Sequence, residues 1–571
     1  MSSGSDEGAG AGADGAAKSG STDKAGVDPH ATGRESGDEH HAFWADTVAD
    51  EIEARDPDEP IVVKGGVSPS GIPHLGHFNE ILRGYFVAEV LRERGHEVRQ
   101  VFTSDDKDPL RKLPRRLANA EFDIVELGDV DAGALGKNLG KPYTDIPDPF
   151  GDCHDSYGDH FTDLLATSAE MVGVPVEVLS NTEMYADGEF DDLTRHVLEN
   201  VETAREVLAK YQDKVDDEYV PFMVQCAECG KLSSKITAVD ADAGEVVYEC
   251  VGLTAGGREI EGCGHEGTAT LRDGKLYWRF EWPAQWKLLG VDFEPFGKDH
   301  AEGSWPSGED IARNVFEFEP PVPMVYEWFT LNGAALSSSE GNVVTIAEVL
   351  ELLEPEVLRY FFALNPNKAR DFDISRMDQL VDDFDRFEQA YFEGDDDQGL
   401  TRFAERAYPF VVDEVREDRI RLPYTFAAVL GMVEERDLRV QMAQNEGHIP
   451  EDASDEVIDA ALARVEKARN WAERCDNAYN YRLQTALPEV DLTSEEEAAL
   501  DDLAAFAEEG HDGDEMQSEI YRAAERHGLE VSDLFGAGYK LFFDQEQGPR
   551  LGEFLGELDR EFVVTRLRRE G

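Results

Sequence analysis

The stretch Pro60–Gly95, "PIVVKGGVSPSGIPHLGHFNEILRGYFVAEVLRERG", constrains the fold more than any other. Its β-branched opening, Pro60–Val67, reads as a buried strand. "SPSGIPHLGH" (Ser68–His77) follows at once. A helical pattern comes next, in which Phe78, Ile81, Leu82, Tyr85, Phe86, Val90 and Leu91 share one face and Gly95 is the stop. "HEVRQVFTSDD" then gives a second strand ending in acidic residues. Strand, Gly-rich turn, helix, strand is the opening of a nucleotide-binding α/β domain. Gly71 and Gly76 permit close approach of a ligand to the backbone, and the helix start offers free N–H groups to phosphate. His74 and His77, three apart, present imidazoles to one patch. Taken alone, the same residues also fit a loop that only caps a helix.

At 571 residues the chain has room for two to four domains with separate cores. Its formal net charge is −68, lysine is scarce, and arginine outnumbers it about two to one. The carboxylates are spread along the whole length, in blocks such as "GDDDQG" (Gly394–Gly399) and "SEEEAAL" (Ser494–Leu500) that read as solvated faces. That spread favours adaptation to concentrated salt over an acidic module for cationic partners, because a Debye length of ~3 Å at 1 M screens self-repulsion. Nucleic-acid binding is not excluded by the charge; only its usual electrostatic signature is. No apolar run approaches ~18 residues, so no membrane helix is expected. Residues 1–45 lack the apolar core of a signal peptide and are expected to form a disordered acidic tail. A cytoplasmic chain is expected. There, the six cysteines (Cys153, Cys226, Cys229, Cys250, Cys263, Cys475) argue for metal ligation before disulfides.

Residues 46–110 read as the first half of the α/β domain. From 111 to 270 the chain is irregular and carries most of the cysteines, as an insertion would. Strand–helix alternation returns over 271–345, and the pattern is almost wholly helical afterwards, through 346–385 and 386–571. "CAEC" (Cys226, Cys229), Cys250 and "CGH" (Cys263, His265) have the pairing and separation of a structural zinc knuckle, with Cys263 or His265 completing four ligands. "DPFGDCHDSYGDH" offers Asp148, Cys153, His154 and His160, by spacing alone as much a polar loop as a metal site. "GKDH" is expected to end a strand at Gly297 and project Lys298, Asp299 and His300 from a loop at the carboxyl edge of the sheet. "DDKDPLRKLPRR" (Asp105–Arg116) is the densest basic run, readable as an RNA contact or as a salt-bridged surface. "ALSSSEGN" (Ala335–Asn342) has the serines and glycine of a phosphate loop but no cation, and Glu340 carries the wrong sign.

"HLGH" closely resembles the "HIGH" signature of class I aminoacyl-tRNA synthetases. "ALSSSEGN" resembles their "KMSKS" loop in its archaeal-type lysyl form, with Ala335 and Glu340 standing where lysines are usual. Trp278–Gly303, the Asp148–His160 segment and the C-terminal Leu541–Glu570, with its "GPRLG", are similar to the same lysyl enzymes. The resemblance spans nearly everything after about the first 45 residues. It implies a Rossmann-type α/β class I catalytic domain with a zinc-binding insertion. An all-α anticodon-binding C-terminal domain would follow, with 346–385 against the tRNA stem.

The implied reaction is activation of L-lysine by ATP with Mg²⁺ and transfer to tRNA(Lys). In that reading His74, His77 and Lys298 are catalytic, and Ser70, Gly71, Gly76, Ser337, Ser338 and Ser339 join the histidines around ATP. Lysine would be held by Gly66, Ser68, Glu80, Tyr277, Trp278, Asp299 and His300, with Glu80 on its ammonium and the two aromatic rings along its methylenes. One or two structural zinc ions would take the cysteine, histidine and aspartate sets named above. Lys107, Arg111, Lys112, Arg115 and Arg116 would meet the tRNA acceptor end, and a monomer is expected. Three rivals stay open: a glutamyl or cysteinyl class I enzyme, a small nucleotidyltransferase sharing the "HxGH" loop, and an inert tRNA-binding relative. A glutamate pocket would need converging arginines, and a nucleotidyltransferase would be far shorter.

Overall fold

The computed structural model describes residues 29–30, 32, 41–151, 153–213, 215–255, 258–336 and 342–570. The expected disordered tail, 1–45, falls mostly outside them. Two compact units make up the chain: Met1–Glu348 with Leu358–Asp373 and Asp396–Asp413, and Val349–Val357 with Ile374–Asp395 and Glu414–Gly571.

In the first unit, helix α1 (Trp44–Glu53) precedes strand β1 (Ile61–Val67), helix α2 (His77–Glu93) and strand β2 (Val98–Ser104). Helix α3 (Tyr157–Met171) and strand β3 (Glu177–Ser180) follow. Later come helix α4 (Trp278–Leu289), strand β4 (Val291–Gly297), helices α5 (Lys298–Gly303) and α6 (Trp305–Asn314), and strand β5 (Val322–Tyr326). The five strands form one parallel sheet in the order β5-β4-β1-β2-β3. One of its edge strands, β3, is therefore drawn from within the stretch 111–270.

The chain builds outward from β1 in one direction and then crosses to the other side for β4. The topological switch point lies at the carboxyl ends of β1 and β4, where sheets of this kind bind ligands. Helix α2 is buried on more sides than the single apolar face expected, because Arg83, Val87 and Ala88 are buried beside Phe78, Ile81, Leu82 and Phe86. The tryptophans of α4 and α6, Trp282, Trp286 and Trp305, pack with Val62, Phe296 and Val325 into one core on the sheet.

Between β3 and α4 the chain forms small antiparallel sheets, among them Phe222–Gln225 against Gly274–Leu276 and Lys235–Asp240 against Glu245–Glu249. The second unit is helical and includes Met377–Phe392, Asp455–Cys475, Ser494–Glu509 and Gly513–His527. Its longest helix buries Arg464, which bonds Glu354 (2.7 Å) and Asp385 (2.6 Å). The acidic blocks also have local duties. Asp397 caps the helix Gln398–Val411, and the glutamates after Ser494 fill a helix first turn, where negative charge is favourable. No helix among the described residues is long and apolar enough to cross a membrane.

Candidate active site and metal centres

The turn from β1 into α2 fixes both histidines through the backbone. Gly76 N–H donates to His74 Nδ1 (3.0 Å), and His74 N–H donates to His77 Nδ1 (3.2 Å). An amide can only donate, so both Nδ1 atoms accept, and each neutral ring carries its proton on Nε2. The rings stack with centroids 4.0 Å apart and planes 23° apart. Burial pushes His77 down to about 4. It also pushes His74 well below the usual histidine range, and the neighbouring His77 adds to that. The site thus holds two neutral imidazoles side by side, each with one N–H to give. A side chain at Gly76 would meet the His74 ring at 2.7 Å and push it out of this position.

Leu75 N–H donates to the Val344 carbonyl (3.0 Å), which brings the downstream flank of "ALSSSEGN" onto the histidine turn. Asn342 Nδ2 donates to the Ala335 carbonyl (2.8 Å), joining the two ends of that loop. Ser337, Ser338 and Ser339 lie outside the described residues, as do Glu340 and Gly341.

Behind the histidines, Glu80 accepts from Gly66 N–H (2.7 Å) and from the Tyr326 hydroxyl (3.3 Å). Burial first, and then the nearby Glu294 charge, push its carboxyl up to about 8. Trp278 stacks on Trp282 (4.9 Å, 19°) and lies 5.4 Å from the His300 ring. Tyr277 instead faces Tyr219 (5.5 Å). Lys298, Asp299 and His300 open the short helix α5, not a loop, because the chain leaves β4 directly into a helical turn. Lys298 Nζ pairs with Glu327 (2.9 Å), and Asp299 sits 3.9 Å from His300. Ser70 and Gly71 lie in the turn between β1 and α2, where the Ser70 carbonyl accepts from the Tyr157 hydroxyl (2.9 Å).

The run "DDKDPLRKLPRR" divides in two. Asp105, Asp106, Lys107 and Asp108 are all buried, so Lys107 is not a surface cation; it lies over the Tyr185 ring. Lys275 pairs with Asp108 and with Glu281 (2.6 Å), and Asp108 also accepts from Ser68 Oγ (3.3 Å). Arg111 leans on Asp108 (3.7 Å), while Lys112 and Arg115 are exposed and Arg116 starts a short strand. Sequence reasoning missed Tyr326, Lys64, Glu294 and Asp108. A signal was present: a lysine in the apolar run "IVVKGGV" and a glutamate in "VDFEPFG" each need a buried partner of opposite charge.

Two donor sets have the arrangement of metal centres. The Sγ atoms of Cys226, Cys229, Cys250 and Cys263 lie within 4.8 Å of one another. Cys263 thus completes a cluster of four thiols. His265 lies outside that cluster: its ring is 6.0 Å from that of Tyr248, since the chain past Cys263 turns into the strand Glu266–Thr270. Four thiols fit a closed tetrahedral zinc site.

In the second set, Asp148, Cys153, His154 and His160 converge equally closely. Asp148 Oδ2 accepts from Cys153 Sγ (2.8 Å). The two histidine Nδ1 atoms are 3.1 Å apart, leaving both Nε2 atoms for other partners. His160 Nε2 lies 2.9 Å from the Ala118 carbonyl, and His154 Nε2 lies 3.2 Å from Asp163. Outer partners of this kind fix the ring orientation of metal-binding histidines.

Comparison with known proteins agrees with this geometry. The family described as tRNA synthetases class I (K) matches residues 42–410. The lysine–tRNA ligase of Haloarcula marismortui is 65% identical over 547 residues, 95% of this chain and 99% of that one. That of Natronomonas pharaonis is 66% identical, with coverages of 93% and 98%. That of Halobacterium salinarum is 62% identical, with coverages of 93% and 97%. A family match over more than half its length, and relatives aligned almost end to end, establish that the chain belongs to the class I lysyl-tRNA synthetases.

Proposed function

We propose that the chain joins the L-lysine carboxylate to the α-phosphate of ATP as lysyl-adenylate, releasing pyrophosphate, and then passes the lysyl group to the terminal adenosine of tRNA(Lys), releasing AMP. The observation that carries this reading is the pair of backbone-fixed Nε2–H imidazoles at the switch point of the sheet. Attack of a carboxylate on the α-phosphate spreads new negative charge over phosphate oxygens. Donors already fixed in place stabilise that charge without reorganising. His74 and His77 supply such donors, Ser70, Gly71 and Gly76 leave room for the triphosphate, and the hydroxyls of Ser337, Ser338 and Ser339 are assigned to the same nucleotide. Mg²⁺ arriving with ATP would neutralise charge on the phosphates, and Lys298 is the nearby protein cation proposed to assist.

Glu80 receives the lysine ammonium and gives up its own proton as it does so, because the substrate's charge replaces it. Trp278, with His300 beside it, forms an apolar wall for the methylenes, and Tyr277 supports that wall. Gly66, Ser68 and Asp299 complete the lysine site. Zinc held by the four cysteines, and by Asp148, Cys153, His154 and His160, has a structural part in this reading and no part in the chemistry. Exposed Lys112 and Arg115, with Arg111 and Arg116, face the tRNA acceptor end. The helices of 346–385 and 386–571 serve the tRNA stem and anticodon, and the enzyme works in the cytoplasm. The test is lysine-dependent exchange of pyrophosphate into ATP, in concentrated KCl with tRNA(Lys) present. Exchange driven by glutamate or cysteine, or with no amino acid, would overturn the reading.

A further inference from the structure

Beneath Glu80 lie two charged side chains that no motif accounts for. Lys64 and Glu294 interrupt the apolar strands β1 and β4, and each is 2% exposed. Lys64 Nζ donates to Glu294 Oε1 (3.0 Å). The same oxygen accepts from Trp282 Nε1 (2.9 Å), and Trp286 Nε1 donates to the other. Burying such a pair is a poor route to stability, since apolar residues of similar volume usually do as well. Its position points to another use. Lys64 and Gly66 share one face of β1, and Lys64 Nζ comes within 3.4 Å of where a Gly66 Cβ would sit. Gly66 is the residue whose N–H holds Glu80. Trp282, held by Glu294, is the ring on which Trp278 stacks. One carboxylate therefore anchors both the floor of the Glu80 site and its aromatic wall.

We propose, resting on the reading of Glu80 as the ammonium partner, that Glu294 is a positioning and specificity-determining residue for the substrate. Glu294 and Glu80 are two carboxylates sharing one resident ammonium, that of Lys64, and the side chain of the incoming lysine brings the second. An acidic side chain would add a third negative group, and a neutral one leaves Glu80 protonated with no ammonium to receive, so neither gains the ion pair that lysine does. The groups around Glu80 agree with this count. Lys64 faces it from β1, Glu294 from β4 and Tyr326 from β5, while Arg83 on α2 and Asp299 on α5 act on Tyr326. Burial and Glu294 hold the Glu80 carboxyl up at about 8, so a proton occupies it at neutral pH and must leave when lysine binds.

The test is the KM for lysine in the tRNA-supported exchange assay between pH 5.5 and 8.5, for the wild type and for Glu294→Gln, Lys64→Met and Glu80→Gln. In the wild type KM should rise about tenfold per pH unit below 8, reaching roughly 100-fold at pH 6. Glu294→Gln keeps the shape and removes the charge. It should move the break in that profile to lower pH by about a unit and leave the KM for ATP unchanged. Lys64→Met should move the break the other way. A Glu294→Gln variant whose KM changes with the break unmoved would show a packing role only and overturn the proposal. If Glu80→Gln leaves the lysine KM as it was, the Glu80 reading itself fails.

Discussion

Replacing Glu80 with Gln should make the folded protein more stable and the enzyme worse. Burial and Glu294 hold the Glu80 carboxyl up at about 8, against an ordinary 4.5. Below pH 4.5 both folded and unfolded chains carry the proton and nothing is lost. Between 4.5 and 8 the unfolded chain ionises while the folded one does not, so native stability falls by ~1.4 kcal/mol per pH unit. At pH 7 the accumulated loss is ~3 kcal/mol, and above pH 8 it approaches ~5 kcal/mol. Glutamine keeps the oxygen that accepts from Gly66 N–H and cannot ionise, so Glu80→Gln recovers most of that loss. The same change removes the anion from the lysine ammonium. A charge-assisted hydrogen bond of ~1.5–3 kcal/mol then disappears, which raises the lysine KM by about ten- to a hundredfold. Urea denaturation at fixed KCl, run at pH 5 and pH 8, reads the first effect, and exchange kinetics read the second. A stability difference equal at the two pH values would refute the electrostatic reasoning, and an unchanged KM would refute the assignment of the residue.

Cys226→Ser should lower bound zinc by one equivalent in emission spectroscopy and lower the melting temperature, while His160→Ala should remove a different equivalent. A metal content unchanged by both would remove zinc from these sites. Lys275→Met leaves Asp108 and Glu281 buried opposite no ammonium. The expected loss is ~3–5 kcal/mol at pH 8 in urea titration, partly regained at pH 6 as the carboxyls take up protons. Lys298→Ala should slow lysine activation far more than Ala335→Lys changes it, measured as the rate of adenylate formation. A neutral Lys298→Ala would exclude this lysine from phosphate stabilisation.

The strand–turn–helix at Pro60–Gly95 was legible because three local signals agree there: β-branched residues, glycines with histidines, and a 3.6-residue apolar spacing. The convergence of both cysteine-containing clusters was legible for a related reason, since ligand spacing survives as a local pattern. The choice between Cys263 and His265 was not. It depends on which way the chain turns after Gly262, and two residues of spacing do not fix that. The burial of Asp105–Asp108 was hidden too. Four charged residues in a row look solvated until Lys275, Asn181 and Gln285, from distant parts of the chain, are brought against them. Strand β3 carries only four residues, too few for periodicity to separate it from its irregular surroundings.

The absence of lysine from "ALSSSEGN" acquires a physical sense in this setting. In a chain of net charge −68, a cation near the phosphates competes for local carboxylates before any ligand arrives, and Lys298 is already paired with Glu327 at 2.9 Å. Molar salt also weakens the pull of an exposed cation on phosphate, because charges more than ~3 Å apart are screened. Neutral donors escape both penalties. In the proposed ATP site the Nε2–H groups of His74 and His77 bear no net charge, are aimed by backbone amides, and would act at hydrogen-bond distance, where intervening salt has no room. Depressed imidazoles belong to the same solution. Burial disfavours the charged form of both rings, so the pair stays neutral at neutral pH and keeps the geometry proposed for phosphate. A phosphate site built on fixed neutral donors, with the divalent cation delivered by the nucleotide, loses less by giving up loop lysines than one built on charge.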